Sequence, residues 1–175
     1  TVISNMDRPL GNSVGNRLEV LEAIDVLKGN GKGELLDLSL TLASKMVSMG
    51  KGISEEEALN LVKENLNNGK ALNKFLEFVK YQGGEIEKLE IDSKVYNIKA
   101  NRSGILKNID ALGVAKLSLS LGAGRTNKDD DIDYNAGVVI RKEIGDEINE
   151  GDILASLYTN IEDPKFNLEK VFEIS

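Results

Sequence analysis

Apolar residues recur at helical spacing through the first half of the chain and in short β-rich runs through the second. From Asn16, Leu18, Leu21, Ile24 and Leu27 follow at three-residue intervals with Val20 beside them. This predicts a helix closed by Gly29-Asn30-Gly31-Lys32-Gly33. A second helix is expected from residue 34 to about 49, where Leu35, Leu38, Leu42 and Met46 share one face with Leu36 and Ala43 close by. Its apolar arc is wide, which implies burial on more than one side. Ser54 with Glu57 three residues on is a capping-box pattern, and Ala58, Leu59, Val62 and Leu66 supply the stripe of the helix it announces, stopped at Gly69. Leu72, Phe75, Leu76 and Val79 mark a fourth helix, closed by Gly83-Gly84. Ahead of all four, the β-branched run Thr1-Val2-Ile3-Ser4 reads as the tail of a strand, and Pro9, Gly11 and Gly15 punctuate a loop.

The pattern changes near Lys88. Runs at 94–100, 104–108, 137–141 and 153–158 read as strands separated by Gly, Asn and Asp. One helix, roughly 110–121, interrupts them through Leu112, Ala115, Leu117 and Leu119. The expected fold is α+β, with one domain over residues 1–84 and a second over 85–175.

The chain has 175 residues, 41% hydrophobic and 29% charged, which is enough to build a core in one domain or two small ones. Aromatic residues are only 5% and Trp is absent, so Leu, Ile, Val and Ala must fill that core. The net charge of −7 and pI near 4.8 disfavour nucleic acid and anionic membrane as partners. With no Cys, disulfides, thiolate catalysis and thiolate metal sites are excluded. With no His, the commonest general base and transition-metal ligand is missing too. No apolar run approaches the roughly 20 residues of a membrane span and no signal peptide is visible, so a cytoplasmic protein is expected. Opening on Thr1 fits a truncated or processed chain, and equally removal of an initiator Met.

Five segments invite a chemical reading. In Met6-Asp7-Arg8-Pro9-Leu10-Gly11-Asn12-Ser13-Val14-Gly15-Asn16, a loop delivers the chain to a helix N-terminus. Such a loop can hold an anion on free N–H groups, or turn carbonyls toward a hard cation with Glu22 adding charge. From the residues alone, an ordinary strand-to-helix connection is the better reading. Gly29–Gly33 lacks the phosphate-loop pattern, since Gly33 follows Lys32, and reads as a flexible helix connection. Lys128-Asp129-Asp130-Asp131 does not match calcium-loop spacing and reads as a solvated loop. In Gly122-Ala123-Gly124-Arg125 the arginine can grip a phosphate or carboxylate, or simply follow a glycine cap. Gly145 to Leu154, two glycine turns before a strand, occurs in biotinyl and lipoyl carrier folds. Those carriers present a modified Lys at a hairpin tip. Here Lys128 precedes three aspartates and Lys142 lies between Arg141 and Glu143, so a related β-sandwich shape is the reading rather than a carrier site.

Three of these segments together resemble the pyrimidine nucleoside phosphorylase and thymidine phosphorylase family. Met6-Asp7-Arg8-Pro9-Leu10-Gly11, Val14-Gly15-Asn16, Leu18-Glu19-Val20 and Glu22-Ala23-Ile24 closely resemble its MxxPLGxxVGNxLEVxEAI stretch. Leu121-Gly122-Ala123-Gly124-Arg125 resembles its LGAGR, and Asp131-Ile132-Asp133, Ala136-Gly137-Val138 and the 145–154 turn follow in the family's order. The resemblance implies that residues 1–84 are the helical end of an α/β domain. Residues 85–175 would be a C-terminal α+β domain with a β-sandwich/barrel hybrid. It implies reversible phosphorolysis, with phosphate attacking C1′ of a pyrimidine nucleoside to give free base and a pentose 1-phosphate. Phosphate is then the co-substrate, and the complete enzyme a homodimer.

In the family, the phosphate loop and the Arg, Ser and Lys set at the base lie upstream of the segment matching Thr1, so no catalytic residue is assigned here and the chain alone is expected to be inactive. What carries over is a K⁺ site made by the carbonyls of Leu10 and Ser13 and the carboxylate of Glu22, completed by the phosphate loop and so incomplete here. Ser13 stands where relatives often have Ala, a change a main-chain ligand tolerates. Arg125 is a candidate for closure over substrate. Two alternatives remain: a free-standing biotinyl/lipoyl-like hybrid interaction module without catalysis, and a related phosphorylase acting on nucleotides. Uridine versus thymidine preference is decided by upstream residues.

Overall fold

Helices fill the first half of the chain and antiparallel strands most of the second, an α+β fold. The computed structural model describes residues 1–166 and 171–175. Its elements are β1 (Ser13–Val14), α1 (Asn16–Asp25), α2 (Gly33–Lys51), α3 (Glu55–Asn67), α4 (Lys70–Tyr81), β2 (Lys94–Lys99), β3 (Gly104–Ile109), α5 (Ala111–Ser118), β4 (Gly137–Ile140), β5 (Glu147–Ile148), β6 (Ile153–Thr159) and β7 (Phe172–Ile174). They form two compact units. Thr1–Ser4 with Leu21–Glu90 make a helical unit, and Asn5–Val20 with Ile91–Ser175 make a β unit. The change of pattern near residue 88 sits beside the crossing at Glu90, whereas residues 5–20 join the β unit across a long stretch of sequence.

In the helical unit, α1 leaves through a wide turn over Val26–Asn30 in which Gly29 takes a φ of +89°, a left-handed value open to glycine. Ser54 caps α3 as expected: its side chain accepts from the Glu57 N–H, and the Glu57 carboxylate accepts from the Ser54 N–H. Two expectations are corrected. Thr1–Ser4 forms no strand, because β-branched residues favour extended backbone but need a partner edge to bond, and none of the described residues pairs with them. The wide arc of α2 is covered along one side only. It packs on α3, and Leu42, Met46 and Met49 stay 44%, 69% and 79% exposed.

The β unit holds the main core. One sheet runs β1-β4-β6-β2 and another β5-β3-β7, all neighbours antiparallel. Strand β6 lies at the centre of the larger sheet, with Leu157 opposite Tyr96 on β2 and Val138 on β4. Leu106, Leu121, Ile148, Leu157, Val114 and Val138 are fully buried together. Ser156 is buried in the same strand, and its hydroxyl is satisfied: it accepts from Arg141 Nε at 3.0 Å and donates to Asn97 Oδ1 at 3.0 Å. Strands β1, β5 and β7, of two or three residues each, are additions that the sequence pattern does not announce.

Candidate functional site

The loop before α1 is sewn into the β unit by its own backbone. The carbonyls of Asp7 and Asn12 accept from the Ala111 and Ile140 N–H groups at 3.3 and 2.7 Å. The Val14 carbonyl accepts from Ser118 Oγ at 3.0 Å, and Ser13 and Val14 lie opposite Val139 and Val138. Gly15 opens α1, where its N–H donates to Glu19 Oε1 at 3.0 Å, filling one of the donors a helix start leaves over. Two glycines make this seam possible. A Cβ on Gly15 would stand 2.4 Å from the Ala136 carbonyl oxygen, and one on Gly137 would stand 2.4 Å from the Val14 carbonyl oxygen.

The candidate cation ligands divide between the units. Leu10, 43% exposed, and half-buried Ser13 belong to the β unit, and half-buried Glu22 belongs to the helical unit on α1. Strand alternation bears on Ser13. With the Asn12 carbonyl turned to β4, the Ser13 carbonyl turns the opposite way, toward the outer edge of the sheet, since β1 is an edge strand. An outward carbonyl is the hard oxygen donor that a monovalent cation takes. Among the described residues no group of three or more acidic side chains is gathered, so backbone oxygens would have to supply most of a cation's ligands.

The second candidate lies after α5. Asp110 caps this helix, its carboxylate accepting from the Gly113 N–H at 2.8 Å. The chain then leaves through a wide turn over Leu119–Ala123, with Gly122 at φ +96°. Thr159 Oγ1 donates to the Leu121 carbonyl at 2.8 Å and the Asp133 N–H to the Gly122 carbonyl at 2.9 Å. Arg125 follows, exposed and without a hydrogen-bond or ion-pair partner among the described residues. The turn is therefore fixed at its root, with its guanidinium open to solvent.

Next to it, the aspartate-rich loop closes on itself. Asp130 Oδ2 accepts from Thr126 Oγ1 at 2.5 Å, from the Asn127 N–H at 2.7 Å and from the Thr126 N–H at 3.0 Å. These bonds, the Thr126 hydroxyl first, favour the charged form and hold the Asp130 carboxyl at about 2 against an ordinary 3.8. Because the folded value is the lower one, the loop's stabilisation is complete above pH 3.8. It drains away as pH falls from there toward 2. A carboxyl ¹³C titration is expected to place Asp130 near 2, with the Asn127 amide shift following it; a midpoint near 4 would mean the loop is open in solution.

The 145–154 turn is built the same way. Asp146 accepts from the Glu143 N–H, and Asp152 from the Asn149 N–H and from Lys142 Nζ at 2.8 Å. The Lys142 ammonium bond is the main reason the Asp152 carboxyl lies below its ordinary range. Lys142 is thus an ion-pair partner within the turn rather than a lysine presented at its tip.

Sequence reasoning passed over one cluster. Asp133 Oδ1 accepts from the Asn135 N–H at 2.9 Å, Asp133 Oδ2 from Asn160 Nδ2 at 3.1 Å, and Asn135 Oδ1 from Arg17 Nη1 at 2.8 Å. Its only signal was an Asp/Asn-rich stretch, which reads as turn chemistry. No described helix is long and apolar enough to cross a membrane.

Residues 105–173 match the family model described as "Pyrimidine nucleoside phosphorylase C-terminal domain". Over 98% of its length the chain is 41% identical to a pyrimidine-nucleoside phosphorylase of Bacillus subtilis (strain 168), of which it covers 41%. It is 39% identical over 90% of its length to a thymidine phosphorylase of Metamycoplasma hominis, covering 61% of that protein. Against a pyrimidine-nucleoside phosphorylase of Staphylococcus aureus (strain USA300) it is 42% identical over 93% of its length, covering 39% of that protein. The chain thus spans less than two thirds of each of these relatives.

Proposed function

Because the chain belongs to the pyrimidine nucleoside phosphorylase family, we propose that it serves as the C-terminal portion of an enzyme splitting pyrimidine nucleosides with phosphate. The products are the free base and a pentose 1-phosphate. The observation that carries this reading is the 41% identity to a pyrimidine-nucleoside phosphorylase sustained over 98% of the chain.

The reaction passes through a sugar of oxocarbenium character, so the catalyst must position phosphate and stabilise negative charge on the departing base. This chain has no His and no Cys, and its glycine–lysine loop lacks the phosphate-loop pattern. We assign it no catalytic residue and hold that these 175 residues alone do not turn over nucleoside. Their contribution is scaffolding: the carbonyls of Leu10 and Ser13 and the carboxylate of Glu22 take part in holding K⁺, and Arg125 acts in closure over substrate. The complete enzyme is a cytoplasmic homodimer in this reading.

The test uses the full-length protein that contains this chain, with uridine and thymidine as substrates. Base release is expected only when phosphate is present, and Glu22→Gln should raise the potassium concentration needed for half-maximal rate. Release that ignores phosphate would exclude phosphorolysis. An unchanged potassium requirement would remove Glu22 from the cation site.

A further inference from the structure

After entering the β unit at Asn5, the chain leaves it after Val20 and returns to it at Ile91. One side-chain oxygen reaches residues beside this departure and this return. Asn135 Oδ1 accepts from Arg17 Nη1 at 2.8 Å, in the first turn of α1, and from the Asp92 N–H at 3.3 Å, just after the return. Both partners only donate, so the amide must present its oxygen to them, and the Arg17 bond is charge-assisted.

Neighbouring groups hold that oxygen in place. The Arg17 N–H donates to the Tyr134 carbonyl at 3.2 Å, and the Asn135 N–H to Asp133 Oδ1 at 2.9 Å. Asn160 Nδ2 bridges Asp133 Oδ2 at 3.1 Å and the Asp92 carbonyl at 3.0 Å. The Asp133 N–H meets the Gly122 carbonyl, three residues before Arg125. Arg17 lies four residues after Ser13. Both segments assigned a part in the proposed reaction are therefore anchored on the same cluster, within the β unit.

We infer that Asn135 is a clamp tying together, on the β-unit side, the chain that leaves after Val20 and the chain that returns at Ile91. Resting on the phosphorolysis reading above, it is a positioning residue for that reaction. Its chemistry sets the test, because the clamp needs an acceptor and nothing more. Asn135→Ala removes the acceptor, and Asn135→Asp keeps it and strengthens the bond to Arg17.

Amide hydrogen exchange is followed at Arg17 and Asp92 in both variants. Alanine is expected to speed exchange about tenfold at both, and aspartate to restore protection. In the full-length protein, kcat for phosphorolysis should fall with alanine and recover with aspartate, while KM for phosphate stays put. Unchanged protection in Asn135→Ala, or no recovery in Asn135→Asp, would overturn the clamp. Lost protection with unchanged kcat would overturn the positioning role. If the parent enzyme shows no phosphorolysis, the functional reading falls by itself, and the exchange data still decide the clamp.

Discussion

Gly137→Ala is expected to cost the β unit about 3–5 kcal/mol, a large share of the roughly 5–15 kcal/mol that holds a domain of ordinary stability folded. Two effects add. Gly137 has a φ of +154°, a backbone state that side chains rarely enter. Its added methyl would also stand 2.4 Å from the Val14 carbonyl oxygen, 2.8 Å from Leu18 Cδ1 and 3.0 Å from Gly15 Cα. Two of those three obstacles are backbone, in a segment pinned by Asn12 to Ile140, by Ser118 to Val14 and by Arg17 to Tyr134. The seam has nowhere to yield. Gly15→Ala should behave alike, because it meets the same strand from the other side at φ +148°. Gly50, near the end of α2 with open space about it, is the comparison, and its alanine variant should be neutral or slightly stabilising. Urea unfolding followed by tyrosine emission reads the right unit, since Tyr96, Tyr134 and Tyr158 lie there and only Tyr81 lies elsewhere. A Gly137→Ala midpoint equal to that of the parent would mean the β1–β4 seam is absent in solution.

Leu157→Ala is the second large effect, about 2–5 kcal/mol. Leu157 is fully buried on the central strand of the larger sheet, between β4 and β2, so its loss opens a cavity that neighbours pinned by ladder bonds on both sides cannot close. Met46→Ala on α2 removes a side chain of similar size that is 69% exposed, and should change stability by no more than about 0.5 kcal/mol. The same urea experiment compares them. Equal costs would place the main core elsewhere than in the β unit.

What could be read along the chain was what local chemistry decides. Ser54 with Glu57 marked the start of α3, because a capping box is complete within four residues. Runs near 94, 104, 137 and 153 became β2, β3, β4 and β6, because β-branched and apolar residues bounded by turns suit a sheet wherever their partners lie. What stayed hidden was pairing at long range. Ser13–Val14 is too short to carry a pattern and is a strand only because Val138–Val139 lies opposite; Thr1–Ser4 carries the better β composition and has no strand partner among the described residues. The membership of residues 5–20 in the β unit follows from the same cause. At the site, Leu10, Ser13, Glu22 and Arg125 were legible as parts of extended motifs. Asn135 was not, since an asparagine in a turn looks the same whether or not Arg17 and Asp92 converge on it.

The most direct test of the account is ³¹P NMR of uridine or thymidine incubated with phosphate and the full-length protein, beside the same mixture with these 175 residues alone. A pentose 1-phosphate signal is expected from the full-length protein and none from the chain alone. Pentose 1-phosphate made by the chain alone, or none made by the full-length protein, would contradict it.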